Sequence, residues 1–236
     1  VTAWLSGPVT TVAPGLLGAH LVSDLPEGRV VVRLTEVEAY EGGDDPGSHA
    51  FRGATARNGA MFGPAGCLYV YRHLGLHVCA NVVTGEVGRA SAVLLRAGEV
   101  VEGAELAWAR RAARGVVRSP VDLARGPARL TVAAGLRMDM YGWGLLEPGA
   151  PVHLVRPSGG VGVVARGPRV GVSGPGGEGS TFPWRFWLAG EATVSAYRPA
   201  APPRRRTGQT GPRARRSGGG GPSGGAGGTG GRGSDG

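Results

Sequence analysis

The chain has 236 residues, room for one sizeable domain or two small ones, and a formal charge of +9 with a pI near 10.8. All 26 basic residues are arginine, so these residues exclude any chemistry that needs a lysine amine. Two cysteines, Cys67 and Cys79, exclude a disulfide framework and, at that spacing, a zinc motif.

This cysteine usage leads us to expect a reducing cytoplasm; no apolar run reaches the length of a membrane span and no signal peptide is visible. The chain opens on Val, consistent with a trimmed or literally read start. A basic chain expects a polyanion, nucleic acid first and an anionic membrane surface second. Most of the charge, however, lies in residues 199–236, with seven arginines against one aspartate. That stretch is Pro-, Arg- and Gly-rich without hydrophobic periodicity. It is expected to be a disordered tail behind a domain at residues 1–198.

Taken in order, residues 13–21 predict a short helix. A turn at Pro26-Glu27-Gly28 leads into a β-rich run, Val30 to Leu34, that continues as Thr-Glu-Val-Glu-Ala-Tyr to Tyr40. Alternate residues of a strand share a face, so Val30, Val32, Leu34, Glu36, Glu38 and Tyr40 are expected to point one way. That face begins apolar and ends with two carboxylates and a phenol. Such carboxylates are costly unless paired, hydrated or used. The Gly-Gly-Asp-Asp-Pro-Gly turn then brings Ser48 and His49 close. A solvated strand end before an acidic turn explains the same residues as well as a site does.

Residues 51–63 are glycine-punctuated and carry Arg52 and Arg57. They read as a loop whose backbone can approach phosphate, or as a plain surface loop. Residues 67–83 alternate clearly. Leu68, Val70, Leu74, Leu76, Val78, Ala80 and Val82 share one parity. Tyr69, Tyr71, His73, His77, Cys79 and Asn81 share the other. Gly75 predicts a tight hairpin with Leu74 and Leu76 at its tip. The aromatic, polar face suits a flat ring, and an amphipathic hairpin with half-buried Tyr and His is the plainer alternative. His73, His77 and Cys79 make a poor metal trio, because residues i and i+4 of a strand lie about 13 Å apart.

Residues 92–97 predict a buried strand holding Arg96, which needs a carboxylate partner or points at a site or a phosphate. Residues 101–115 predict a helix with Arg110, Arg111 and Arg114 near its C-terminal end, where cations suit the helix dipole. Arg125-Gly126-Pro127 opens a second short helix, whose N-terminus can receive phosphate. Residues 152–156, 161–165, 169–172 and 182–188 predict further strands.

Read together, TEVEAYEG, SHAFRG, RNGAMFG, LYVYRHLGLHVCAN, VLLRA, RGPARL and RVGV resemble, in order and spacing from about residue 16 to 197, the alkyladenine (3-methyladenine) DNA glycosylases. The resemblance implies a single mixed α/β domain with a curved, largely antiparallel sheet and flanking helices. It also implies a monofunctional enzyme without cofactor or metal. Such an enzyme flips alkylated or deaminated purines out of double-stranded DNA and hydrolyses the N-glycosidic bond in base excision repair. A monomer that avoids membranes, in a bacterial cytoplasm and associated with the nucleoid, is the expected setting.

By position, Glu38 matches the carboxylate that activates water and must be ionised to do so. Tyr40, His49 and Tyr71 match the walls around the flipped base, and Asn81 matches the residue that helps exclude guanine. Arg96 matches a basic position beside the site, with Glu36 as a structural partner. Arg57 and Met61 fall in the segment that follows the DNA backbone. Leu74, with Leu76 and His77, falls at the hairpin tip that enters the minor groove. The animal enzymes have a tyrosine wedge where Leu74 stands, and an apolar side chain can also fill the place of a stacked base. Tyr40 and Tyr71 are expected to attract a cationic alkylated purine through their rings. Two other classes fit parts of the sequence: a nuclease holding Mg²⁺ on Glu36, Glu38, Asp44 and Asp45, and a noncatalytic nucleic-acid-binding module.

The absence of lysine yields a test. Glycosylases that nick the strand use an amine to form a Schiff base with the opened sugar, and arginine stays protonated and cannot serve. Borohydride added during turnover is expected to trap no protein–DNA adduct. The product is expected to be an intact abasic strand that breaks only in alkali. A trapped adduct would point to the N-terminal amine.

Overall fold

The computed structural model describes residues 3–157 and 159–201, so the tail assigned to residues 199–236 lies, from residue 202 on, outside the described residues. Among the described residues are three α-helices and eight strands. In chain order they are α1 (Val9–Gly15), β1 (His20–Leu25), β2 (Gly28–Glu41), β3 (Leu68–His73), β4 (His77–Val83), β5 (Ser91–Glu102), α2 (Ala104–Ala112), α3 (Pro127–Ala134), β6 (Val152–Val155), β7 (Val164–Gly167) and β8 (Arg185–Leu188). The strands form one antiparallel sheet in the order β3-β4-β5-β2-β1-β6. β8 also joins β2, and β7 pairs with β8. This is the expected mixed α/β domain with a curved antiparallel sheet. No helix among the described residues is long and apolar enough to cross a membrane.

β2 is the axis of the sheet. β5 runs along one of its edges for almost its whole length. On the other edge its first half pairs with β1, and Glu36 to Glu38 pair with β8. A β-bulge breaks the expected single face. Leu34 opposes Gly98 and Glu36 opposes Ala97, so Thr35 is an extra residue; a second shift leaves Arg96 extra on β5. A bulge re-aims the side chains that follow it. The core therefore takes Val30, Val32 and Leu34 before Thr35, but Val37 and Ala39 after it. Glu36, Glu38 and Tyr40 do not share a face with the valines, as strict alternation had implied. They are delivered to the opposite side, where their polar groups meet partners.

The three helices supply apolar side chains to the core face. Val9, Val12 and Ala13 of α1, Ala107 of α2, and Leu130, Ala133 and Ala134 of α3 pack with Leu68, Val70, Ala80, Val82, Val93 and Leu95 of the sheet. α3 has Pro127 at its first turn and ends at Gly135, whose φ of 72° is left-handed, the usual placement of the two residues. α2 places Glu105 in its first turn and Arg110 and Arg111 in its last, matching the helix dipole.

Several local expectations shift. The first helix spans Val9–Gly15, earlier than residues 13–21. Residues 20–25 become a strand instead, because both of their edges find partners in β2 and β6. The strand expected at 161–165 forms at 164–167, and the one expected at 182–188 begins at Arg185. Residues 169–172 are not a strand: they cross the face opposite the core, where Val170 makes its backbone bond to a side chain of β2.

Gly98 marks where β5 comes closest to the bulge. A Cβ there would lie 2.4 Å from a Val32 methyl carbon and 2.5 Å from the Arg33 carbonyl oxygen. Gly98→Ala is expected to lose about 1–3 kcal/mol of stability by overpacking. Gly43→Ala, where a Cβ meets nothing within 4 Å, should lose little. Urea denaturation of both variants makes the comparison.

Candidate active site

The site is built on the sheet face opposite the core. Alternation along β3, β4 and β5 sends Tyr69, Tyr71, Cys79, Asn81, Leu94 and Arg96 to one side, and the bulge adds Glu38 and Tyr40 from β2. The turn after β2 (Pro46, Gly47, His49) and residues 170–173 close over them. Together they enclose a cavity of about 470 Å³. Burial of these polar groups is tolerable because Glu38, Tyr40, His49 and Asn81 each find a partner.

Glu38 has no exposed surface. Its Oε1 accepts the Val170 backbone N–H at 2.7 Å, and its Oε2 accepts the Tyr40 hydroxyl at 2.9 Å. Arg96 Nη1 stands 3.5 Å from the same Oε2. Glu36, also fully buried, accepts Arg96 Nε at 2.8 Å, Arg185 Nε at 2.7 Å, and the Ser195 N–H and hydroxyl at 2.7 and 3.0 Å. Arg96 thus spans both carboxylates, and Glu36 is the structural partner that the sequence suggested. Burial works against the Arg96 charge, but Glu38 and Glu36 outweigh it and hold its pKa above the usual value.

The aromatic side chains remain uncharged. Burial first, and then the Glu38 carboxylate, push the Tyr40 phenol well above its ordinary pKa, so it stays a donor to Glu38. Burial also raises the Tyr71 phenol, and raises that of Tyr69 to about 12. Burial, and then the Arg57 guanidinium and the neighbouring His73, lower the His49 imidazole below its ordinary pKa and favour its neutral form. His49 Nδ1 lies 3.1 Å from the Tyr69 hydroxyl, and its ring meets Tyr71 edge-on at 4.5 Å. Tyr69 and Tyr71 stack at 5.6 Å. Asn81 is fixed by donating Nδ2–H to the Tyr69 carbonyl at 3.1 Å.

Of the residues singled out in the sequence, Glu38, Tyr40, His49, Tyr71, Asn81 and Arg96 therefore line one cavity. Met61 lines it too, but is only 2% exposed and packs under Tyr69 with Ala60 and Cys67. Arg57 sits at the rim, donating Nη2–H to the Arg72 carbonyl at 3.0 Å, with its guanidinium 5.8 Å from the Tyr71 ring centre.

Leu74, Leu76 and His77 stand apart on the β3–β4 hairpin tip. Leu74 is 80% exposed and Leu76 73% exposed. Leu74 and Gly75 both have positive φ, 49° and 72°, the turn pattern that keeps hairpin strands in register.

The sequence reading assigned no role to Arg185, Arg169 or the Val170 amide, placed Tyr69 on the ring-binding face without naming it as a wall, and offered Asp45 only to the nuclease alternative. Tyr69 shares the parity of Tyr71, and Arg185 breaks an otherwise apolar strand, so both left a signal. The amide left none. The nuclease alternative loses two of its four ligands, since Glu36 is neutralised by two arginines and Asp45 by Arg169. Among the described residues no three His, Cys, Asp or Glu side chains stand together as a metal set.

A buried carboxylate, bonded by two donors and paired with one arginine, thus stands beside a cavity walled by flat rings in a mixed α/β domain. The profile of the methylpurine-DNA glycosylase family matches residues 3–192, and the chain belongs to that family. A relative from Streptomyces avermitilis is 52% identical over 85% of this chain and 92% of its own length. One from Leifsonia xyli subsp. xyli is 58% identical over 79% and 87%, and one from Mycobacterium tuberculosis is 46% identical over 78% and 86%. All three bear the provisional name 3-methyladenine DNA glycosylase. The protein is a monofunctional DNA glycosylase, a hydrolase of the N-glycosidic bond that acts on DNA in base excision repair.

Glu36→Gln removes the charge between Arg96 and Arg185 and turns a donor toward donors. Breaking a buried ion network in this way is expected to cost about 3–5 kcal/mol. Ser195→Ala, which removes one hydroxyl donor, should cost about 1 kcal/mol. Denaturation midpoints of the two variants check the ordering.

Proposed function

We propose that this enzyme extrudes alkylated or deaminated purines from double-stranded DNA into the cavity and that Glu38 activates the water that displaces them. The observation that carries the reading is Glu38 itself, buried and oriented by Val170, Tyr40 and Arg96 at the wall of an aromatic cavity. Breaking the bond from C1′ to a purine nitrogen builds positive charge on the sugar. A carboxylate beside it helps twice, by taking a proton from the water and by opposing that charge.

Tyr40, His49 and Tyr71 serve as walls for the base. Their uncharged rings suit a planar purine, and Asn81, locked through Tyr69, crowds the position of guanine's extra amino group. Arg96 holds Glu38 in place while keeping its own Nε on Glu36. Arg57 at the rim is available to a backbone phosphate. Met61 contributes to the cavity floor.

The hairpin tip is assigned as the wedge, with Leu76 and His77 beside it. Leu74 is exposed and left-handed, a backbone state that costs a side chain with a Cβ roughly 1–2 kcal/mol. An apolar side chain held in that state at a tip suits insertion between base pairs, where it fills the space a flipped base leaves. Flipping costs a few kcal/mol, least for damaged or mispaired bases, so selection begins before the cavity is entered. The protein works as a monomer on duplex DNA in the bacterial cytoplasm, and the arginines of residues 199–236 add nonspecific affinity for the nucleoid.

Glu38→Gln keeps the size and part of the hydrogen bonding but removes the base. It is expected to slow release of free base by about 10²–10⁴-fold in single-turnover assays on lesion duplexes, with binding retained. Near-normal turnover would remove Glu38 from its role. Leu74→Ala is expected to reduce flipping, read as a smaller fluorescence rise of 2-aminopurine beside the lesion. Unchanged fluorescence would end the wedge assignment.

A further inference from the structure

Tyr40 meets the cavity with one side of its ring already occupied. The guanidinium carbon of Arg169 lies 4.5 Å from the Tyr40 ring centre, and Arg169 is 1% exposed. Tyr40 lines the cavity and Arg169 does not, so the guanidinium sits behind the ring. The rest of its surroundings is aromatic. Trp184 and Phe182 lie 5.4 and 5.5 Å from it and meet each other edge to face at 4.8 Å.

Arg169 is held firmly. Nη1 donates to the Ala39 carbonyl at 2.9 Å and to Asp45 Oδ2 at 2.5 Å. Nη2 donates to Asp45 Oδ1 at 2.6 Å and to the Gly176 carbonyl at 2.7 Å. Nε is buried with no hydrogen-bond acceptor. Space for the group is made at Gly47, where a Cβ would come 2.5 Å from Nη2. A buried ion pair costs desolvation that apolar packing at the same place would not, so stability alone does not account for it.

We propose that Arg169 is a specificity-determining residue that turns the cavity toward neutral flat purines and away from purines with a fixed positive charge. This rests on the reading of Tyr40 as a wall for the extruded base. A ring attracts a cation through the negative potential over its faces. A cation fixed on one face draws on that potential and weakens the pull of the other. Tyr40 then offers a flat, dispersive surface, suited to a neutral base such as hypoxanthine or ethenoadenine, but little attraction to a 7-methylguanine cation. The Arg169 charge does reach Tyr40, where it opposes the upward shift of the phenol caused by burial and Glu38. Arg57 at the rim stands farther from Tyr71, at 5.8 Å and in solvent, and so screens that wall less.

The test is the ratio of single-turnover release from duplexes carrying one 7-methylguanine to that from duplexes carrying one hypoxanthine. Asp45→Asn/Arg169→Gln removes both charges and keeps hydrogen-bonding groups. It is expected to raise the ratio about three- to tenfold, the size of a modest cation–π gain. Arg169→Lys keeps the charge and should keep the parent ratio. A merely structural Arg169 would slow both substrates equally in both variants, and an unchanged ratio in the double variant overturns the proposal.

Tyr40→Leu decides the matter if the ion-pair variants do not fold. Losing a ring that is already screened should slow both bases by the same factor. A fall in the ratio of more than about threefold would show an unscreened ring and overturn the proposal. No effect of Tyr40→Leu on either base would instead remove Tyr40 as a wall, and the inference with it.

Discussion

Glu36 carries a carboxylate with no access to solvent, and the architecture of the site follows from how that charge is satisfied. Two guanidiniums and one serine close around it, and they come from three different parts of the chain: β5, β8 and the segment after β8. A charge so placed is tolerable only when it is paired and hydrogen-bonded. Once Arg96 is bound to Glu36 through Nε, its Nη1 is turned toward Glu38. Glu38 thus inherits part of its electrostatic surroundings from its neighbour Glu36.

The bulge at Thr35 makes this arrangement possible. Without it, strict alternation would put Glu36 and Glu38 on the side of Val32 and Leu34, among helices that offer them no donors. One inserted residue moves both carboxylates and Tyr40 across the sheet while Val37 and Ala39 keep the core continuous. The extra Thr35 is itself anchored, its hydroxyl 2.8 Å from that of Thr193. A matching irregularity at Arg96 brings the arginine to the same side. Core and site are therefore the two faces of one sheet, and a few residues of irregular backbone set the boundary between them.

Two loops complete the cavity, and each is held by a buried interaction rather than by regular structure. Asp45 and Arg169 tie the turn after β2 to the segment containing Val170. That segment then presents its amide to Glu38. The hairpin tip is left free of such ties, with Leu74 and Leu76 in solvent. Buried ties are thus concentrated around the cavity, while the hairpin tip presents apolar side chains to solvent.

The residues themselves determined the amphipathic hairpin, the start of the helix at Pro127, and the set Glu38, Tyr40, His49, Tyr71, Asn81 and Arg96. Those features follow from period-two alternation, from the backbone preferences of proline and glycine, and from a pattern of residue types that resembles one family. Only the tertiary structure decided which face Glu38 occupies, because a bulge is a property of strand pairing and leaves no local mark in the sequence. The same holds for β1, whose residues become a strand by finding two edges to bond. It holds as well for Val170, whose contribution is a backbone amide that any residue but proline would carry. Arg169 was visible as a charge, but its place behind Tyr40 depends on a contact across more than a hundred residues of chain, which spacing along the sequence does not encode.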